Sequence, residues 1–370
     1  MKKILFFQPN ITTKGGIESW LDTLLPALKE THRVYTLSAY DKAKTGESFS
    51  LNETSAGKAL KPLSRARALA VFVKEHQIDT VIASADGIII AAILSKLFYK
   101  NDAYCIAVVH QEIARTSFVY RILMKFLLPK TDLCVCVSEG IQKEILSVAP
   151  ATNVITIPNA INTRKNREQS LSILPEKDAM FFSDVTFVSV GRLEYPKAHY
   201  RLVESFKRVH EETGANLVII GEGSLRKVIE KRIKELELDH AVALLGTRAN
   251  VFPYLIHAKA LIQPSYFESF GITVAEALSV GKRVIVSDCH FGPREILGVT
   301  DKVIYPHETP YGWLVPVPKE GFERGVGNDQ LTKALLLAVQ SSEDTQEACK
   351  KRSELFDISI IKQKWLDVLG

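Results

Sequence analysis

Glu268-Ser-Phe-Gly-Ile-Thr-Val-Ala-Glu276 places one carboxylate on each side of a loop-to-helix junction. Gln263-Pro264-Ser265 ends a strand-like run, and Phe270-Gly271 opens a helix expected from Ile272 to about Val280. Glu268 therefore precedes the helix, and Glu276 sits about one turn inside it. The unpaired amides of a helix start favour an anion such as a phosphate. Carboxylates accept hydrogen bonds from sugar hydroxyls. Acids beside an anion cradle thus suit a ligand with both hydroxyls and phosphates, and a sugar nucleotide is one. Two glutamates alone are more often solvated surface acids, so the neighbouring residues decide.

Val190-Gly-Arg-Leu-Glu-Tyr-Pro-Lys197 follows another strand-like run. After Gly191, Arg192 can fork onto a phosphate and Lys197 adds a compact second charge. In Ile220-Gly-Glu-Gly-Ser-Leu-Arg226, Gly221 and Gly223 would let the backbone approach a ligand closely. Gly-x-Gly alone is weak, and no third glycine completes a dinucleotide fingerprint. His110 follows Cys105 to Val109 at the carboxyl end of a strand, where a lone histidine is more often structural. Gly15-Gly16 closes the first loop and opens a helix; a plain tight turn reads equally simply, and Glu18 is a first-turn acid.

Ser265-Tyr-Phe-Glu-Ser-Phe-Gly271 with Ala275-Glu-Ala-Leu-Ser-Val-Gly-Lys-Arg-Val-Ile-Val-Ser-Asp288 resembles the donor-binding signature of retaining glycosyltransferases of family 4, the glycogen-synthase-like group 1 enzymes. The resemblance implies an α/β GT-B fold: two facing, doubly wound Rossmann-like domains with an interdomain cleft. It implies transfer of a sugar from a nucleoside diphosphate sugar to a hydroxyl with retention, the leaving diphosphate itself helping to deprotonate the acceptor. Arg192 and Lys197 match residues that hold the diphosphate, with Gly191, Phe270, Gly271 and Ile272 beside it. Glu276 would take ribose hydroxyls and Glu268 those of the donor sugar, while His110 would orient the sugar or stabilise an oxocarbenium-like transition state. Gly15 and Gly16 match a glycine-rich loop facing the donor phosphate. Gly221 and Gly223 lie near the nucleotide, and Arg248 and Asn250 are either base contacts or ordinary surface loop. Asn159 reads as hinge or structural.

The family implies no cofactor and no metal, cations taking the metal's place, with uridine as the expected base. Bacterial surface polysaccharide or lipopolysaccharide synthesis is the implied setting, with a glycan or lipid-linked acceptor. Gly312-Trp-Leu-Val-Pro-Val-Pro-Lys319 departs from the pattern, since many relatives carry an acid shortly after the prolines. The alternatives are a non-catalytic sugar-nucleotide-binding module, or an epimerase or phosphorylase on the same fold. A nicotinamide enzyme lacks its fingerprint, and a nucleic-acid binder would need denser basic and aromatic clustering.

A chain of 370 residues exceeds one ordinary core, so two domains are expected. Apolar residues at 46% and charged ones at 24% describe a globular protein, and a net charge of +5 favours anionic ligands or lipids mildly. Five scattered cysteines form neither a disulfide framework nor a metal spacing, which points to the cytosol. The longest apolar run, Val81 to Leu94, is broken by Ser84, Asp86 and Gly87, so no membrane span is expected. Arg115 to Lys130 mixes helical apolar spacing with Arg121, Lys125 and Lys130. It reads as either a core helix with a basic face or a contact with an anionic membrane at the inner face of the cell membrane.

Nearly all-apolar strands alternating with helical patterns indicate parallel sheets covered on both faces. They run Lys3–Phe7, Val34–Leu37, Thr80–Ile82, Cys105–Val109, Leu133–Val137 and Val154–Ile157, then Val185–Val190, Leu217–Ile220, Val242–Leu245, Ala260–Ile262 and Arg283–Val286. The expected division is an acceptor-binding domain over 1–165, a polar linker over 166–184 and a nucleotide-sugar domain over 185–350. Residues 351–370 then form a C-terminal helix that, from the resemblance, packs back toward the first domain.

Overall fold

The computed structural model describes residues 1–10, 16–40, 46–51, 61–289, 291–325, 327–342 and 344–370. The chain divides into two compact units, Met1–Ala160 with Ile358–Gly370, and Ile161–Asp357.

The first unit holds β1 (Lys3–Gln8), β2 (Arg33–Ser38), β3 (Ser48–Ser50), β4 (Thr80–Ser84), β5 (Tyr104–Val109), β6 (Leu133–Cys136) and β7 (Val154–Thr156). They form one parallel sheet in the order β3-β2-β1-β4-β5-β6-β7. Ile4 to Phe7 and Val81 to Ala83 are fully buried, as strands covered on both faces must be. The order reverses at β1 and β4, where such sheets open a ligand crevice at their carboxyl ends. The terminal helix Ile358–Leu369 packs on the helix Gly16–Lys29, with Trp365 and Trp20 ring centroids 6.0 Å apart.

The second unit holds β8 (Thr186–Val190), β9 (Asn216–Ile220), β10 (Val242–Gly246), β11 (Leu261–Gln263), β12 (Val284–Ser287), β13 (His307–Thr309) and β14 (Gly312–Val315). Their order is β10-β9-β8-β11-β12-β14-β13, parallel except for the β13–β14 hairpin. Its core runs from Phe187, Phe206 and Ile219 to Trp313 and Leu335.

Three expectations change. β3, β13 and β14 are absent from the strand pattern read above; β3 is three half-buried residues, Ser-Phe-Ser, too short to show alternation. The polar stretch 166–184 is no linker. It carries the helices Thr163–Ser170 and Glu176–Ala179, held in the second unit by polar contacts where apolar periodicity is lacking. Asn162 caps the first of these at the amide of Lys165 (2.9 Å), and Asn166 and Arg167 bond Ser279 at 3.1 and 3.0 Å. Finally, 351–370 is not one helix. Gln346–Glu354 stays with the second unit, and only Ile358–Leu369 joins the first.

Candidate functional site

In the second unit, the strand ends carry the expected residues on three loops. After β8, Leu193 is buried while the Arg192 side chain is exposed, its guanidinium making no hydrogen bond or ion pair among the described residues. A short turn, Tyr195–Lys197, then leads through Ala198 (φ 51°, ψ 28°) into the helix His199–Thr213. Lys197 Nζ bonds Glu268 Oε1 at 2.5 Å, and that side-chain pair is only 23% and 10% exposed. Ser265 Oγ donates to the same oxygen at 2.8 Å, as does Gln263 Nε2. Glu268 Oε2 takes no part in this knot. A half-buried carboxylate with three donors on one oxygen is held rigidly, and it fixes the ammonium in turn.

Three residues past Glu268, Gly271 stands at φ 93°, a left-handed conformation that suits glycine and starts the helix Ile272–Ser279. Gly271 O accepts from Val274 and Ala275, and no side chain caps the helix, which leaves the amides of Ile272 and Thr273 to an outside acceptor. Phe270 is buried and meets Phe356 edge-on at 5.3 Å, so it contributes its backbone rather than its ring. Gly292 lets a further loop close on this one, because a Cβ there would lie 2.2 Å from Phe270 O. Glu276 is half-buried, its carboxyl finds no hydrogen-bond partner among the described residues, and desolvation pushes it up to about 7.

Gly221 and Gly223 serve another purpose than the one expected. A Cβ on Gly221 would stand 1.9 Å from Gly191 O, and one on Gly223 2.4 Å from Leu193 O. The missing side chains face protein backbone, and the two loops are joined by Gly191 N to Ile220 O (3.0 Å) and Leu193 N to Glu222 O (2.9 Å). These glycines shape the Arg192 loop instead of approaching a ligand. A Cβ on Gly191 would only touch His199 Cε1 and the Lys197 stem at 3.6 Å.

Arg248 is corrected as well. Its Nε and Nη2 bond both carboxylate oxygens of Asp178 at 2.7 and 2.8 Å, and Tyr254 Oη donates to the same acid at 2.6 Å. That bidentate pair, with Asp178 almost wholly buried, pins 176–179 to the second unit and uses up the fork meant for a base. Asn250 Nδ2 likewise binds Gln169 O at 2.8 Å. Gln263 and Asp178 escaped sequence reasoning, and Ser265 was read as a strand end and as the first residue of the 265–271 signature without its role toward Glu268.

In the first unit, His110 follows β5 and packs edge-on against Trp20 with centroids 4.8 Å apart. Its Nε2 is buried without a partner, and desolvation drops the imidazole to about 3. It is therefore neutral at physiological pH, so it would not repel an oxocarbenium-like centre as an imidazolium would, and it can act by hydrogen bonding. Gly16 is exposed, and a Cβ there would meet nothing within 4 Å. Gly15 lies outside the described residues. Two grooves, of about 510 and 830 Å³, lie around Leu171–Leu174 and around Phe49 and Val71; neither contains any of these residues.

The profile described as Glycosyl transferases group 1 matches residues 175–320, and that of Glycosyltransferase Family 4 matches 14–165. An uncharacterized glycosyltransferase of Methanocaldococcus jannaschii is 28% identical over 348 residues, covering 85% of both chains. The N-acetylgalactosamine-N,N'-diacetylbacillosaminyl-diphospho-undecaprenol 4-alpha-N-acetylgalactosaminyltransferase of Campylobacter jejuni is 27% identical, covering 86% of this chain and 89% of its own. The solved structure of Anabaena HepE in complex with UDP and glucose superposes with a TM-score of 0.77 at 16% identity, over 100% of this chain and 99% of that one.

Proposed function

Because this chain belongs to the group 1, family 4 glycosyltransferases of the GT-B fold, we propose that it moves a sugar from a UDP-sugar to a hydroxyl of a glycan or lipid-linked acceptor, with retention and without a metal, in bacterial surface polysaccharide synthesis. The observation that carries this reading is the Lys197–Glu268 knot three residues ahead of an uncapped helix start. The donor's diphosphate would draw on Lys197 and Arg192 and on the Ile272 and Thr273 amides. Negative charge grows on that diphosphate as the glycosidic bond breaks, so cations already in place lower the barrier. Glu268 holds Lys197 through Oε1 and offers Oε2 to sugar hydroxyls, and Glu276 takes the ribose. The Anabaena structure's bound UDP and the Campylobacter enzyme's diphospho-undecaprenol acceptor support the same donor and acceptor classes here.

The test is a thermal-shift panel of UDP-, GDP- and ADP-sugars in EDTA, followed by titration of UDP-glucose at pH 6 and pH 8. A clear shift with the uridine donors alone is expected; none with any donor at millimolar concentration would sink the reading. Glu276 adds a pH signature. Its free carboxyl is held up to about 7, and hydroxyl donors favour the ionised form. Binding below that pH must release a proton, so affinity rises from pH 6 to pH 8 by up to about tenfold. UDP-glucose has no phosphate titrating in this window, and Glu276→Gln should flatten the curve. A rise that persists in Glu276→Gln would exclude this carboxyl as the cause.

We extend the proposal to an anionic membrane surface. No helix among the described residues is long and apolar enough to cross a membrane. The helix Phe118–Leu127 nevertheless exposes Phe118 at 68%, Val119 at 65% and Phe126 at 65%, with Ile122 and Leu123 between them. Only Met124 of this helix is fully buried, and Arg121 and Lys125 flank the apolar stripe. Such a face suits insertion among acyl chains with its cations at headgroup phosphates. Co-sedimentation with phosphatidylglycerol-containing vesicles at low salt should be strong and should be lost in Phe118→Asp/Phe126→Asp. Equal pelleting of the double variant would remove this helix from the contact.

A further inference from the structure

Two histidines meet at the amino edge of the second sheet, opposite the strand ends that lead to Lys197 and Glu268. The helix His199–Thr213 stops at Gly214 (φ 68°), whose amide returns to His210 O at 2.8 Å, and the chain then enters β9 at Asn216. His240 stands two residues ahead of β10. Leu217 N donates to Ala241 O at 2.9 Å, and the parallel register sets Leu217 opposite Val242, so the two strand starts lie side by side. This pairing brings His210 Nε2 to 3.0 Å from His240 Nε2, with ring centroids 4.9 Å apart and planes at 69°. His210 is half-buried and His240 is exposed.

The other nitrogen of His210 settles what its Nε2 can do. Nδ1 lies 2.9 Å from Ala215 O. A carbonyl only accepts, so Nδ1 carries a proton and the Nε2 of the neutral ring presents a lone pair. Metal-ligating imidazoles are oriented in this way, one nitrogen donating to a carbonyl and the other left to the ion. Two nitrogens each about 2.0–2.1 Å from one ion stand about 2.9–3.3 Å apart for ligand angles from square to tetrahedral. The observed 3.0 Å falls inside that interval. Without an ion, His240 Nε2–H donates into the His210 lone pair at the same distance; with one, His240 takes its other tautomer and both lone pairs face the metal. A cation is also favoured here because the last turn of a helix carries partial negative charge.

The geometry points to a two-histidine site for a divalent ion of the zinc, nickel and copper class, held by His210 Nε2 and His240 Nε2 and joining the end of the helix His199–Thr213 to the turn before β10. Imidazole suits these ions, whereas magnesium and calcium take oxygen ligands. Among the described residues no third histidine, cysteine or acid joins the pair, so water completes the coordination and affinity stays below that of a closed four-ligand site. The donor residues follow the carboxyl ends of β8 and β11, at the far edge of the same sheet, so the ion acts as a structural staple. The site is independent of the metal-free transfer proposed above. A fall in melting temperature on adding EDTA would report the staple and not a catalytic metal.

Calorimetric titration of the full chain, carrying no histidine tag, with zinc chloride and with magnesium chloride tests this. Saturable zinc binding is expected, with none for magnesium at the same concentration, and zinc should raise the melting temperature until EDTA reverses it. His240→Gln, a substitution at an exposed position, should weaken zinc binding by at least about tenfold, the loss that follows from removing even a supporting partner of a ligand. It should also abolish the rise in melting temperature. His257→Gln, at a histidine outside the pair, should change neither. His210→Gln repeats the test from the helix side and covers the case in which His240→Gln fails to fold. No saturable zinc binding to the wild type, or binding of equal strength in His240→Gln and His210→Gln, overturns the proposal.

Discussion

Replacing Lys197 by alanine should lower turnover with UDP-glucose by at least about 10²-fold, the scale on which a donor aimed at developing charge acts. The ammonium is already fixed: Glu268 holds it at 2.5 Å, with Ser265 and Gln263 steadying the carboxylate from behind. No reorganisation is then needed when the leaving diphosphate gains charge, and this preorganisation makes the group valuable. Arg192→Ala should fall in the same range, although this side chain is exposed. Removing Lys197 also strands a Glu268 carboxylate that is 10% exposed, so some loss of stability accompanies the loss of rate. Melting curves separate the two effects. Lys197→Ala with a native melting transition and turnover within about threefold of wild type would take this lysine out of the phosphate site.

Gly221→Ala should destabilise the second unit by about 3 kcal/mol or more, combining left-handed strain with overpacking. The new Cβ would lie 1.9 Å from Gly191 O and 2.9 Å from Gly191 C at a φ of 150°. Backbone cannot swing aside as a side-chain tip does, so the β8 and β9 loops must part, breaking Gly191 N to Ile220 O. Arg192 rides on that loop, and donor affinity should fall with the stability. Trp313 is fully buried beneath the Arg283 guanidinium, 3.9 Å from its ring centroid, and reports on this unit once Trp20 and Trp365 are changed to phenylalanine. Urea unfolding followed by Trp313 fluorescence measures the effect. A midpoint matching that of the unsubstituted glycine would mean the loops do not meet as described.

Much of the fold was legible before any coordinates. Runs such as Ile4–Phe7 and Leu217–Ile220 are short and wholly apolar, the composition of strands buried on both faces. The loop-to-helix junction at Phe270-Gly271 was equally plain, since a left-handed glycine ahead of a helix is a local feature, and the structure puts Gly271 at φ 93°. The GT-B family followed from the 265–288 signature and is borne out by the profiles and the shared fold. The polar segment 166–184 misled because its order comes from caps and ion pairs with distant residues, which leave no periodic trace.

Local sequence therefore determined most of the sheet strands, the helix start at Gly271 and which residue types stand at the strand ends. Tertiary structure alone decided what those residues do. Lys197 and Glu268 are 71 positions apart and Asp178 and Arg248 are 70, yet one pair stands in the candidate site and the other is a brace that takes Arg248 out of it. Gly221 and Gly223 looked like ligand-facing glycines until Gly191 and Leu193 proved to fill the space. Likewise, the charge on His110 follows from burial against Trp20, and the uncommitted polar atoms of Gln8 and His110 are visible only in the packed strand ends. The physical reason is common to all of these. Backbone preference acts over a few residues, whereas partner, solvation and charge state depend on which distant groups the sheets bring within a few ångströms.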